Sequence, residues 1–383
     1  PEQRDRLTHV DTALLSVAAL RLAFWLVWGT HYGDEGWYLY AARMLWGGRL
    51  PYRDFVFTQT PLCLFLYAPL QAAFPGVTSG RLTTAGVAFA AIFLPLALAS
   101  RGAGRKARLV ALALLASSSY FVYYMVIVKA YALAAGLLLG AALLLTRAKS
   151  TRAWIVAGVL VGLAALARIS AAAALAGLLL YGALARQWRR SLAGALVGGA
   201  VFSLPMAFVY YSHASAVLFG LFAYHQLGIL AHSLTDCLLR AAQRYVTFVL
   251  MAAVVLWCGV RSQQRRRWLA WLRHCPAMWM GASVLSAHLI SPTKQPEYQV
   301  MLLPLFAVVI GQGWTLALRE LRGTPRGLAR RALVGVLGLA ILAGFPLFHQ
   351  NRFWPARGEP PWRGVAAGRA LARLTAPQDP VLT

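Results

Sequence analysis

Long apolar runs recur from about residue 11 to residue 349, and the polar segments between them are short and rich in arginine. Runs of this kind predict membrane-spanning helices, since a helix needs about 20 apolar residues to cross the hydrocarbon core. In lipid the backbone must satisfy its own hydrogen bonds, which leaves helices and closed barrels. A barrel strand alternates polar and apolar residues, and these runs do not. Eleven spans are predicted, near residues 11–30, 81–100, 108–128, 130–146, 153–168, 169–185, 191–211, 244–260, 277–291, 298–318 and 332–349. The division of 153–185 into two rests on Arg168. The apolar run 62–74 is too short to cross and predicts an interfacial or re-entrant helix. Residues 31–80 then form one large outer loop with one or two helices along the membrane surface.

Charge gives the orientation. Of the 37 Lys and Arg, 22 fall in the short segments 1–10, 101–108, 146–152, 186–190, 261–274 and 319–331, at more than three times the density of the opposite side. The positive-inside rule places these segments, and the N-terminus, in the cytoplasm. It also accounts for the net charge of +26 without nucleic acid, because the bases are spread over many loops. The fold class expected is an all-α polytopic membrane protein, with residues 1–349 as the transmembrane domain. The first span is longer than a signal-peptide core and is read as retained. The chain begins at Pro1, so a few residues are expected to precede it. The tail from about residue 350 reads as the start of a small extracytoplasmic domain, with a short helix near 364–374 and a strand after it. Cys63, Cys237, Cys258 and Cys275 show no CxxC or metal-ligand spacing and read as isolated thiols.

Only 11 Asp and Glu occur in 383 residues, and two stand together at Asp34-Glu35, just beyond the first span. Carboxylates near a bilayer are costly and mark functional sites. Most of the other acids, including Asp54, Asp236 and Glu297, also fall on the outer side. Asp34 suits a general base for an acceptor hydroxyl; its alternative is a helix cap. Glu35 is a candidate second catalytic group or a ligand of a divalent cation shared with Asp34; its alternative is an ion pair with Arg43 or Arg53. Asp54, next to Arg53, is either a surface pair or a contact to substrate hydroxyls, and both are kept as substrate-binding candidates. Lys129, Arg168 and Lys294 sit at outward ends of spans, where a cation either holds a phosphate or snorkels to headgroups; Arg244 is a further candidate. Trp37, Tyr38 and Tyr40 are placed to stack on a substrate ring or to join the aromatic belt. His213, His225 and His232 share one outer segment, with metal ligation as the alternative to surface packing.

The segment Gly33-Asp34-Glu35-Gly36-Trp37-Tyr38-Leu39-Tyr40-Ala41-Ala42-Arg43-Met44-Leu45, with Gly48-Arg49-Leu50-Pro51-Tyr52-Arg53-Asp54-Phe55 and Pro61-Leu62, resembles the first outer loop of GT-C glycosyltransferases. The bacterial group with protein O-mannosyltransferase-like and lipid A aminoarabinose transferase-like enzymes is the nearest in pattern, and Lys294 to Pro304 is similar to its late outer loop. The resemblance implies a GT-C-like fold. It implies a polyprenyl-phosphate-linked sugar donor, a lipid, glycan or protein acceptor in the envelope, and transfer on the outer face of a bacterial inner membrane. It matches Asp34 to the catalytic base. Departures are also plain: Gln59-Thr60-Pro61 stands where the aminoarabinose transferases have Lys-Pro-Pro, and Val128-Lys129-Ala130-Tyr131 lacks an acid found there. The pattern therefore does not specify aminoarabinose. A flippase for lipid-linked saccharides would place ionisable residues deep in its spans and show inverted repeats; Arg21 is the one clear charge inside a span and no repeat is evident. A non-catalytic scaffold would have no need of the acid pair.

Overall fold

The computed structural model describes residues 7–99, 104–146, 150–226, 233–291, 294–320 and 327–344. No strand forms among them; Pro51 and Phe55 make an isolated bridge. The predicted tail domain and His232 lie outside the described residues. In chain order the helices are α1 (His9–Trp28), α2 (Glu35–Trp46), α3 (Leu62–Ala73), α4 (Val77–Leu98), α5 (Arg105–Ser117), α6 (Ser119–Tyr124), α7 (Tyr131–Leu145) and α8 (Thr151–Ala167). They continue with α9 (Ile169–Leu184), α10 (Trp188–Gln226), α11 (Leu234–Arg244), α12 (Val246–Arg261), α13 (Arg265–Arg273), α14 (Pro276–Ile290), α15 (Pro296–Glu320) and α16 (Gly327–Gly344).

Four described helices, α1, α4, α10 and α15, are long and apolar enough to cross a membrane. The pair α11–α12, bent by 92°, makes a fifth if counted as one span. The shorter apolar helices α7, α8 and α9 stand where spans were predicted, and α3 coincides with the interfacial run. Arg168 does divide α8 from α9, its backbone extended at φ −153°, ψ 118°.

Several elements depart from expectation. The span predicted at 108–128 breaks at Ser118 and its helix ends at Tyr124. Serine hydroxyls compete with the helix ladder for backbone groups: Ser118 caps α6 by accepting from the Phe121 amide at 3.3 Å. Arg21 donates to Ser119 across from α1, so the charge inside the first span is spent on this break. The span predicted at 191–211 runs on to Gln226, because Ala214–Tyr224 remains apolar and helix-compatible. The short α13, with arginines at its start and two tryptophans, was not predicted at all, and neither was α11.

The largest buried cluster lies around α5, α6 and α7, covered by α1, α4, α8, α14 and α15. Helices α8 and α10 meet through glycine: a Cβ at Gly158 would stand 1.9 Å from the Gly194 oxygen. Small residues four apart on both helices, Gly158/Gly162 and Gly194/Gly198, permit this backbone approach, as in membrane helix pairs generally. A second, smaller cluster is built by the outer loop: Leu39 and Ala42 of α2, Leu64 and Tyr67 of α3, and Phe57 close over Val128 and Ala130. This cap and the turn 125–130 beneath it position the acid pair.

Candidate functional site

The two carboxylates of the acid pair face different worlds. Glu35 is 1% exposed. Its Oε1 accepts from Arg81 Nε at 2.8 Å and from the Val128 amide at 3.1 Å. Its Oε2 accepts from Arg81 Nη2 at 2.6 Å and from the Tyr32 amide at 2.7 Å. Arg81 also donates to the carbonyls of Gly29 at 2.8 Å and Thr30 at 2.9 Å. One buried ion pair thus fastens the end of α1, the start of α2, the outer end of α4 and the 125–130 turn. The expected partners Arg43 and Arg53 are corrected to Arg81, a planar fork that matches a carboxylate bidentately. With both oxygens spent inside the protein, Glu35 is a positioning residue. Its oxygens are turned to Arg81 rather than to the Asp34 carboxylate, and no group of three or more His, Cys, Asp or Glu is gathered among the described residues.

Asp34 has 54% of its side chain exposed and ion-pairs with Lys129 Nζ at 2.7 Å. It occupies the N-cap position of α2 without making a side-chain cap bond, so the helix-cap alternative does not hold. Lys129 is buried in the 125–130 turn, its Nζ 4.0 Å from the centre of the Tyr32 ring. Burial pulls the Lys129 ammonium below its ordinary range, against the opposing pull of the Asp34 carboxylate. The Tyr32 hydroxyl donates to Glu297 at 3.1 Å, and Glu297 ion-pairs with Arg244 at 3.1 Å. The first outer loop and the late loop are therefore joined through Tyr32.

Arg168 adds a second cation. It is 6% exposed and lies 4.8 Å from the Tyr131 ring centre and 4.3 Å from that of Tyr298. Lys129 is 5.6 Å from the same Tyr131 ring, so one aromatic residue brings the two cations together. Arg168 walls a cavity of about 600 Å³ with Gln59, His288 and Tyr298 at its polar parts and Phe202, Phe222 and Ile290 at its apolar parts. His288 bonds Ser170 at 2.8 Å through Nε2. Arg168 Nε, Tyr131 Oη and His288 Nδ1 are buried without a partner among the described residues. Unsatisfied buried polar atoms are uncommon and call for an explanation; an anion at this place would supply one.

The remaining candidates are not gathered here. Arg53 and Asp54 pair with each other at 2.8 Å on the exposed turn of the outer loop, where Asp54 also accepts from the Leu50 amide at 2.7 Å. Asp54 is held below its usual range chiefly by its hydrogen bond from Arg53. Tyr38 is buried, edge-on to Trp37 and Phe57, and offers no ring face to a sugar. Trp37 stacks on Phe57 at 4.6 Å, and Tyr40 is 56% exposed on another face of α2. Lys294 is half-buried, makes no ion pair with a described residue and does not wall the cavity. His225 bonds the Thr58 carbonyl at 3.2 Å and His213 bonds Ser212 at 2.9 Å, so neither joins a metal cluster. Sequence reasoning missed Arg81, Tyr32, Gln59, Tyr131, His288 and Tyr298. Arg81 carried a signal, a charge at the outer edge of an apolar run in a chain with few acids to pair it. Tyr131 and Tyr298 each lie within four residues of a cation already singled out.

Residues 57–219 match the model of glycosyltransferase family 87. No curated protein matches by sequence. Among solved structures, ArnT from Cupriavidus metallidurans bound to undecaprenyl phosphate superposes with a TM-score of 0.65 at 18% identity, over 95% of this chain and 71% of that one. Its apo state gives 0.64 at 19% identity, over 87% and 64%. The archaeal oligosaccharyltransferase AglB from Archaeoglobus fulgidus, in complex with an inhibitory peptide and a dolichol-phosphate, gives 0.59 at 13%, over 97% of this chain and 58% of that one. The chain thus spans little more than half the length of that oligosaccharyltransferase. In fold over nearly its whole length, and in sequence over residues 57–219, this chain is similar to the membrane glycosyltransferases of the GT-C type.

Proposed function

We propose that the chain transfers a sugar from a polyprenyl-phosphate-linked donor to a hydroxyl of a lipid, glycan or protein acceptor. It would do so on the outer face of a bacterial inner membrane, with eleven spans and a cytoplasmic N-terminus. The observation that carries the reading is the exposed Asp34 carboxylate 2.7 Å from buried Lys129, in turn joined through Tyr131 to Arg168 at a cavity with polar and apolar walls. In the reaction the acceptor oxygen forms a bond to the anomeric carbon as its proton passes to Asp34. The anomeric carbon–oxygen bond to phosphate breaks, and its electron pair stays on the polyprenyl phosphate. Lys129 and Arg168 face the charge that develops there, where fixed cations in a water-poor site are most effective. The cavity's apolar part leaves room for the isoprenoid along Phe202, Phe222 and Ile290. The orientation rests on the 22 cytoplasmic bases, and the lipid donor is consistent with the polyprenyl and dolichyl phosphates bound to the two structural neighbours.

The test is donor consumption by the full chain in lipid nanodiscs, using a panel of radiolabelled polyprenyl-phosphate sugars and a membrane extract as acceptor. One donor is expected to turn over. Arg168→Gln is expected to raise the KM for that donor about 10- to 100-fold, the loss of one charge-assisted contact. Absence of binding and turnover with every donor would overturn the reading.

A further inference from the structure

At the end of α12 away from Tyr245, the α12–α13 corner carries chemistry that the transfer reaction does not use. Arg261, Arg265, Arg266 and Arg267 wall a pocket of about 790 Å³ together with Val260. None of the four pairs with an acid among the described residues. The nearby Glu320 is engaged: its Oε1 accepts from Ser262 at 2.6 Å and from Trp268 Nε1 at 2.8 Å, fixing the corner against α15.

Arginines at a cytoplasmic turn alone require no ligand, since the positive-inside rule puts them there. The same two helices, however, also wall a second cavity of about 540 Å³, lined by Phe248, Leu256, Trp271, Leu285, Phe306 and Ile310. Leu256 and Val260 lie one turn apart on α12 and so share a face. Helix α13 gives its first turn to the arginine pocket and Trp271 and Leu272 to the apolar cavity. The outward residues beside them are apolar as well: Trp257 is 62% exposed and Leu269 64%. A cluster of guanidinium groups suits phosphate oxygens, and the neighbouring cavity suits hydrocarbon. One molecule offers both, covalently joined.

We propose that this corner holds an anionic phospholipid of the cytoplasmic leaflet, with its phosphate among Arg261, Arg265, Arg266 and Arg267 and an acyl chain between α12 and α14. Basic pockets on the cytoplasmic side of membrane proteins bind such headgroups. The four arginines stand at the end of α12 opposite Tyr245, about 24 Å along its 16 residues, and none of them walls the cavity at Arg168.

Native mass spectrometry of the full chain, released from nanodiscs of equal phosphatidylglycerol and phosphatidylcholine, tests this. The wild type is expected to retain phosphatidylglycerol in preference to phosphatidylcholine. Changing all four arginines to glutamine should reduce the retained phosphatidylglycerol at least tenfold, with the Tm in pure phosphatidylcholine unchanged as the check on folding. Ala252→Trp, which fills the apolar cavity and leaves the arginines in place, should also weaken retention. Equal retention of both lipids by the wild type, undiminished phosphatidylglycerol in the quadruple variant, or glycerol phosphate binding as tightly as the lipid would each overturn the proposal.

Discussion

Adjacent residues on a helix point in different directions, and that geometry divides the acid pair. Asp34 projects to the surface and meets Lys129, while Glu35 turns inward to Arg81. Removing one partner from a buried, fully bonded pair leaves the other charge stranded. Arg81→Ala is therefore expected to destabilise the fold by about 3–5 kcal/mol, read as a lower midpoint in thermal unfolding of the detergent-solubilised chain. An unchanged midpoint would mean that Arg81 does not fasten the outer loop. Lys129 yields a pH prediction with two opposite signs. Because burial lowers its pKa, it loses its proton at a pH below the ordinary lysine range. Donor affinity, which needs the charge, should be full below that point and fall as pH rises through it. Between the folded and unfolded pKa values the unfolded chain binds the proton more strongly, so the contribution of Lys129 to stability rises with pH there. Measuring donor KM and Tm between neutral and alkaline pH separates the two; Lys129→Arg, which stays charged, should remove the fall in affinity.

At the level of elements, the apolar pattern located most helices because hydrophobic run length is a local property. Arg168 marked the α8–α9 break correctly, since a charge interrupts an apolar run. The run-on of α10 to Gln226 is a misjudged local boundary, whereas other failures arise where a partner outside the run decides the outcome. The α5–α6 break combines a local cap, Ser118 on Phe121, with Arg21 reaching Ser119 across from α1, a contact 98 positions apart that no window of sequence contains. The Arg81–Glu35 pair joins residues 46 positions apart. Tyr38 read as a sugar-stacking ring because its neighbours are acids, but α2 turns it into the outer-loop core with Phe57 and Leu64. Packing of α8 on α10 gives a test on this scale. Gly158→Val places side-chain atoms where the Gly194 carbonyl already stands, and overpacking of this kind costs about 1–3 kcal/mol or more. Gly86→Ala on α4, where a Cβ meets nothing within 4 Å, should leave stability equal or slightly raised. Thermal unfolding of both variants distinguishes close backbone packing from a general intolerance of change in apolar helices.

Across the whole molecule, the two chemically distinctive regions lie at opposite ends of the helical array. The acid pair, Lys129 and the late loop occupy one end, tied to α12 through the hydrogen bond from Tyr245 to the Pro296 carbonyl. The arginine-rich α12–α13 corner is at the other end of α12. If the charge-based orientation is right, a cysteine placed at Arg49 reacts with an impermeant thiol reagent from outside the cell, and one at Gln264 reacts only after the membrane is opened. The reverse labelling would place the site in the cytoplasm. The architecture also explains why the proposed site is assembled from so many elements. Asp34 comes from the α1–α2 turn, Lys129 from the turn before α7, Arg168 from the α8–α9 break and Tyr298 from the start of α15. Each stands where a helix starts or stops, and the backbone there is free to turn a side chain toward a shared cavity.

The most direct measurement compares Asp34→Asn with Glu35→Gln in single-turnover transfer from a bound polyprenyl-phosphate sugar, with donor affinity measured alongside. A positioned general base contributes about 10²- to 10⁴-fold. Asp34→Asn should lose transfer by that order while still binding donor, and Glu35→Gln should lose thermal stability in addition to any loss of rate. Transfer by Asp34→Asn at the wild-type rate would contradict the assignment of the base to Asp34.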